Sequence, residues 1–109
     1  MADVLEGVVG TLTTSNADLL DAVGSSTTET IIGMSFANVN SSSQDVTIDI
    51  EIVKSGGSTT PHLLNDVTVP AGTTLVWETK IVLTTGDKIQ GLCSAASSID
   101  FTINYLKQT

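Results

Sequence analysis

The sequence contains no arginine, and its lysines, Lys54, Lys80, Lys88 and Lys107, stand against 12 acidic residues, giving a formal net charge of -8 and a pI near 4.1. A nucleic-acid-binding surface needs clustered positive charge to displace counterions from phosphates, so this balance argues against DNA or RNA as a partner. Cysteine is almost missing: Cys93 stands alone, which excludes a disulfide within the chain and a zinc site built from cysteines. Aromatic residues make up only 4% and charged residues 15%, so packing of aliphatic side chains and hydrogen bonds must hold the fold. No apolar run approaches the roughly 18 residues of a membrane helix, and the start Met-Ala-Asp-Val-Leu-Glu-Gly has neither a basic n-region nor a signal-peptide core. The expectation is a protein made in the cytoplasm, with no membrane partner.

What is present is aliphatic and polar in alternation. The chain is 109 residues long and 40% hydrophobic, the material of a single domain over 1–109. In Val46-Thr47-Ile48-Asp49-Ile50-Glu51-Ile52 the apolar residues share one face of a strand and Thr47, Asp49 and Glu51 the other. Ile99, Phe101, Ile103 and Tyr105 repeat the pattern, with Asp100, Thr102 and Asn104 opposite. Further strands are expected at Val4 to Thr14, Thr28 to Asn40, His62 to Val69, Thr74 to Leu83 and Lys88 to Ser94. Thr28 to Ser55 reads as a β-hairpin, with Ile32, Met34 and Phe36 inward. Ser55 to Pro61 reads as a loop, and Asn16 to Val23 as a single helical turn or an extended connection. The sum is an all-β, antiparallel sandwich of about seven strands, Ig-like or jelly-roll-like, with little or no helix.

Catalytic chemistry finds few candidates. Cys93 and His62 are the only residues of their kinds, but Cys93 falls on the apolar side of an alternating run and His62 at a loop exit, so a buried thiol and a solvent-facing imidazole are expected. Asp49 and Glu51 lie about 7 Å apart on one strand face, near Asp45, a spacing that calcium sites and glycosidases also use. A solvated acidic face accounts for them, because no Asp-x-Asp-x-Asp-Gly loop is present. Gly56-Gly57 lacks the lysine of a phosphate-binding loop. No catalytic, cofactor-binding or metal-binding residue is assigned, and no enzyme activity is expected.

One strand carries apolar side chains on both faces. Leu75-Val76-Trp77 and Ile81-Val82-Leu83 are consecutive apolar residues, whereas a two-layer sandwich buries only one face of each sheet. Leu75, Val76, Trp77 and Val82 are therefore the candidate oligomer or capsid interface. Trp77 and Tyr105 also offer an aromatic platform of the kind that carbohydrates stack on, but within strands of strong alternation they read first as core or interface anchors.

The order of turn signals is informative. Val69-Pro70-Ala71-Gly72, then Leu83-Thr84-Thr85-Gly86-Asp87, then the closing Asn104-Tyr105-Leu106 resembles small β-sandwich structural proteins of tailed-bacteriophage virions, of the decoration or cement type. The resemblance implies a non-enzymatic virion protein on the capsid surface, synthesised in the host cytoplasm. It implies no cofactor, and as partners the major capsid protein and copies of itself, as a homotrimer. The alternative within the same resemblance is a tail, neck or fibre-associated module that recognises a host receptor or glycan.

Overall fold

The computed structural model describes residues 2–56 and 60–109, and in these residues all regular structure is strand. The strands are β1 (Asp3–Thr11), β2 (Ala17–Leu20), β3 (Thr28–Asn38), β4 (Val46–Val53), β5 (His62–Val69), β6 (Thr74–Trp77), β7 (Ile81–Thr84), β8 (Lys88–Cys93) and β9 (Ile99–Gln108). They form two antiparallel sheets. The first runs β1-β9-β3-β6, with β7 also paired to β3, and the second runs β2-β8-β4-β5. With β6 and β7 taken as halves of one broken strand, the sheets read first-eighth-third-sixth and second-seventh-fourth-fifth, the strand order of a jelly roll. Of the two sandwich types expected, the immunoglobulin order is the one that does not occur.

The core follows from period-2 alternation. Val46, Ile48 and Ile50 of β4 face Ile99, Phe101, Ile103 and Tyr105 of β9 across the sandwich, and all are buried. Ile52 is only partly buried, at the end of the same row. Ile31, Phe36, Leu83 and Ile89 complete the fully enclosed centre. β8 passes close to β4 at Gly91, where a Cβ atom would lie 2.6 Å from Ile50 Cδ1 and 3.0 Å from Leu19 Cδ1. Glycine there lets the isoleucine lie across its neighbouring strand.

Four expectations from the sequence are corrected. Thr28 to Ser55 is not a hairpin, because β3 and β4 belong to different sheets. The buried Asn38 makes the corner: its Nδ2 donates to Gln44 O and Val69 O, both at 2.8 Å, and so ties the end of the first sheet to the start of the second. Ile32 points outward, because the pairing of β3 with β9 shifts between Ile31 and Gly33, and this bulge puts Ile31 inside instead. Thr74 to Leu83 is two strands interrupted at residues 78–80. Asn16 caps no helix; Ala17–Leu20 pairs with β8 as a strand, and the Asn16 Nδ2 donates to Glu51 Oε1 at 2.8 Å. Of the loop expected from Ser55 to Pro61, Gly57, Ser58 and Thr59 lie outside the described residues.

The turn signals have physical causes. Gly72 and Gly86 adopt φ of 72° and 89°, the region that glycine enters without a Cβ clash. The Thr73 N–H donates to Pro70 O, and Asp45 Oδ1 accepts the Ala71 N–H at 3.0 Å. Asp87 is buried and organises its surroundings through both carboxylate oxygens. Oδ1 accepts the Ser55 N–H at 2.9 Å, while Oδ2 accepts from Lys54 Nζ at 2.6 Å and from the Thr84 N–H at 3.0 Å. This joins the β7–β8 turn to the end of β4. Burial by itself would raise the carboxyl's pKa; the Lys54 ammonium and the Thr84 and Ser55 N–H groups outweigh it and hold the pKa at about 2.

Ile50→Ala is expected to cost about 2–5 kcal/mol in chemical denaturation through lost transfer energy and a cavity, and Gly91→Ala about 1–3 kcal/mol through overpacking. Val76→Ala, on the exposed face, should stay within about 0.5 kcal/mol. Because the folded pKa of Asp87 is depressed, its contribution is present above the ordinary carboxylate pKa and is lost as pH falls from about 4 towards 2. Asp87→Asn should therefore lower the melting temperature at pH 7 and flatten its acid-side decline, as followed by circular dichroism across that window.

Candidate functional site

The outer face of the first sheet is built from residues that the register places side by side. One row across the strands is Leu5, Leu106, Thr30 and Val82, and another is Val9, Thr102, Ser35 and Val76. Between them runs a row of Gly7, Asn104 and Gly33. The result is two ridges with a trough. Leu5, Val9, Val76 and Val82 are 73%, 76%, 58% and 59% exposed, and neither ridge carries a charged side chain. On a chain of net charge -8 such a face stands out physically, since large exposed apolar patches mark contact surfaces.

At its far edge the trough opens where β6 breaks from β7 opposite the β3 bulge. There it forms a cavity of about 460 Å³ lined by Gly33, Ser35, Val76, Trp77, Glu78 and Asn104. Trp77 forms one wall, packs partly against the core and donates its indole N–H to Thr79 O at 3.0 Å. A second hollow of about 340 Å³ lies over Gly7, between Leu5, Ile32 and Asn104.

The four interface residues expected from the sequence divide between two directions. Val76 and Val82 stand on the outward ridges. Leu75 and Trp77 pair with Phe36 and Met34 and turn toward the interior side, where they pack against the core. The sequence reading did not single out Leu5, Val9 or Leu106. Their signal was faint, because Leu5 and Val9 are separated by Glu6-Gly7-Val8 and look like either face of a first strand.

Elsewhere the polar groups are engaged structurally. Cys93 is buried; its thiol donates to Ala95 O at 3.0 Å, and burial pushes its pKa up. His62 is exposed on the second sheet and pairs in register with Glu51, whose carboxylate lies 3.8 Å from the His62 Nε2. Cys93, opposite the buried Ile48, faces the other side of that sheet, so thiol and imidazole are not brought together. Asp49 Oδ1 accepts the Asp66 N–H at 2.8 Å where β5 bulges, with Asp66 at φ 50°. The acidic face thus fastens a strand irregularity. Among the described residues no group of three or more His, Cys, Asp and Glu is arranged to hold a metal ion.

At one end of the sandwich the Tyr105 hydroxyl donates to Glu6 Oε2 at 2.7 Å, and burial together with that carboxylate pushes the phenol's pKa up. Nearby Glu29 is buried with Oε1 lacking a hydrogen-bond partner, and desolvation raises its pKa against the pull of Lys107.

No protein-family model matches the sequence, and no curated protein sequence is significantly similar to it. Among solved structures, the chain is similar to one of Bacillus endospore appendages, described as a novel family of disulfide-linked pili. There the identity is 16%, over 99% of this chain and 87% of that chain, with a TM-score of 0.52. It is similar to a chain of the acidic stable capsid of Helicobacter pylori bacteriophage KHP30 at 12% identity, over 98% and 87% of the two chains, with a TM-score of 0.54. It also matches a chain of infectious bursal disease virus Gx strain at 12% identity and a TM-score of 0.56, covering 98% of this chain and 33% of that longer one. At such identities the likeness establishes the fold: an all-β sandwich of a kind also found in virus, phage-capsid and pilus structures.

Proposed function

We propose that the protein is a non-enzymatic structural component of a virus particle, a decoration or cement protein that seats on the outside of a major capsid shell. The observation that carries this reading is the ridged outer face of the first sheet, whose two ridges carry no charge and expose Leu5, Val9, Val76 and Val82 where a free-standing acidic protein would place it. The fold's likeness to a phage-capsid chain supports it. Contact through such a face rests on shape, apolar area and backbone hydrogen bonds. The resemblance also implies copies of the chain as partners, and the exposed apolar ridges are a surface that self-association would cover.

A second reading, a tail- or fibre-associated module for a receptor glycan, is favoured by the cavity at the β6–β7 break, where Trp77, Glu78, Lys80 and Asn104 come together. Imaging of particles made with and without the gene separates the two. The cement reading expects density spread over the outer capsid surface, and particles without the protein that lose integrity at lower temperature. It also expects rebinding of the purified protein to those particles to weaken only modestly between about 0.1 and 1 M salt, since few ion pairs are screened. Density confined to a tail tip, with glycan binding lost in Trp77→Ala, would overturn it in favour of the second reading.

A further inference from the structure

The far side of β1 has no partner among the described residues, and the other sheet edges differ from it in kind. β2 has four residues and a register shift. β5 carries two register shifts in its pairing and Asp66 at positive φ, and β6 and β7 are short pieces separated by Glu78-Thr79-Lys80. Irregular, short or charged edges of this type resist the addition of a further strand. β1 is nine residues long, pairs with β9 without a break in register, and contains no proline and no lysine.

The hydrogen-bond parity of this edge is fixed. The Leu12 N–H donates to Ile99 O at 2.8 Å and the Thr109 N–H to Ala2 O at 3.0 Å, so the even-numbered residues between them direct their backbone groups at β9. The odd-numbered residues Asp3, Leu5, Gly7, Val9 and Thr11 therefore direct every N–H and C=O to the open side. Their side chains are the ones on the outer face.

We infer that a second copy of this chain pairs with that edge, β1 against β1, antiparallel about a twofold axis through Gly7. This register sets Gly7 opposite Gly7, Leu5 opposite Val9 of the second copy, and Asp3 opposite Thr11. All of these are residues whose backbone groups face the gap. The two most exposed large apolar side chains among the described residues thus meet in reciprocal pairs, which is the self-complementarity that a twofold contact requires. Charge permits it: no acid stands opposite an acid, and the Glu6 carboxylate is held by the Tyr105 hydroxyl on the inner side. The ridges of the two outer faces join, the Leu5 row of one copy running into the Val9 row of the other. The first sheets become one continuous sheet, and a lone open edge is removed.

The edge is about 30 Å long, which gives less area than a standard interface, so association is concentration-dependent. Sedimentation velocity over about 1 to 500 μM should show monomer giving way to dimer. Val9→Lys, a substitution at an exposed position that leaves the internal ladder intact, should keep the protein monomeric with an unchanged circular dichroism spectrum. Register is read by cross-linking. A mixture of Leu5→Cys and Val9→Cys proteins should form a disulfide-linked pair under mild oxidation, because directly opposed residues stand about 5.5 Å apart. Leu5→Cys alone should not, since its two copies are displaced by about 13 Å along the strands. The buried Cys93 does not compete. A monomer at every concentration, a trimer, or cross-linking of Leu5→Cys alone as efficient as that of the mixture would each overturn the pairing. The pairing does not rest on the virion reading: a monomer bound to particles would remove it and leave that reading intact, and a dimer absent from particles would do the reverse.

Discussion

β9 lies between β1 and β3, and this placement decides what the rest of the molecule can do. Its inward residues Ile99, Phe101, Ile103 and Tyr105 join Ile31, Met34, Phe36 and Leu83 in the first sheet's share of the core, while its outward residues Asp100, Thr102, Asn104 and Leu106 form the middle of the outer face. With β9 fixed, β3 is held on one side by a ten-pair ladder broken once at Ile32, and β1 on the other by an unbroken one. A slip of one residue on β9 would exchange its whole apolar set for its polar set. The burial of four large side chains on one strand therefore sets the register of both neighbours, and through them the rows that cross the outer face.

The two sheets meet water differently. On the second sheet, the outward residues Asp49 and Glu51 are tied to Asp66, Asn16 and His62, so the surface is polar and its carboxylates have work within the fold. On the first sheet the outward residues are aliphatic, hydroxyl, glycine or the amide of Asn104, with charge kept to the margin at Asp3 and Asp100 and to the β6–β7 break at Glu78 and Lys80. Burying the second face would cost charged groups their hydration. Burying the first costs less, since the polar groups on its ridges are uncharged hydroxyls and its apolar groups gain. This asymmetry, more than the total charge, distinguishes a contact face from a solvated one.

The fold was legible in the sequence where alternation was uninterrupted and a core lay on one side. Val46 to Ile52 and Ile99 to Tyr105 show it plainly: both strands are as read, and so are their buried faces except at Ile52, which is only partly buried. Reading failed where a tertiary partner broke the period. Ile31 and Ile32 are adjacent and equally apolar, and only the bulge against β9 decides which goes inside. Leu19 and Leu20 are both buried because β2 shifts register within four residues, which erases the alternation that marks a strand. Thr28 to Ser55 looked like a hairpin because a short polar turn joins two strands in either case. Whether they share a sheet depends on Asn38 reaching Gln44 O and Val69 O, a contact that no local pattern encodes.

The contact face was half legible for a related reason. Consecutive apolar residues in Leu75-Val76-Trp77 and Ile81-Val82-Leu83 did announce a strand with two apolar sides, but which residue takes which side depends on pairing with β3. That pairing sends Val76 and Val82 out and Leu75 and Trp77 in. Leu5 and Val9 gave no such signal, because β1 contributes little to the core and its inner residues include the exposed Glu6 and Val4. A strand that packs weakly on its inner side is held chiefly by its ladder to β9. Its persistence as nine regular residues, when so few of its side chains are buried, means that the backbone is stabilised by hydrogen bonding along one edge only. A second strand on the other edge would satisfy the remaining donors and acceptors and cover the most exposed apolar side chains with the same act of pairing.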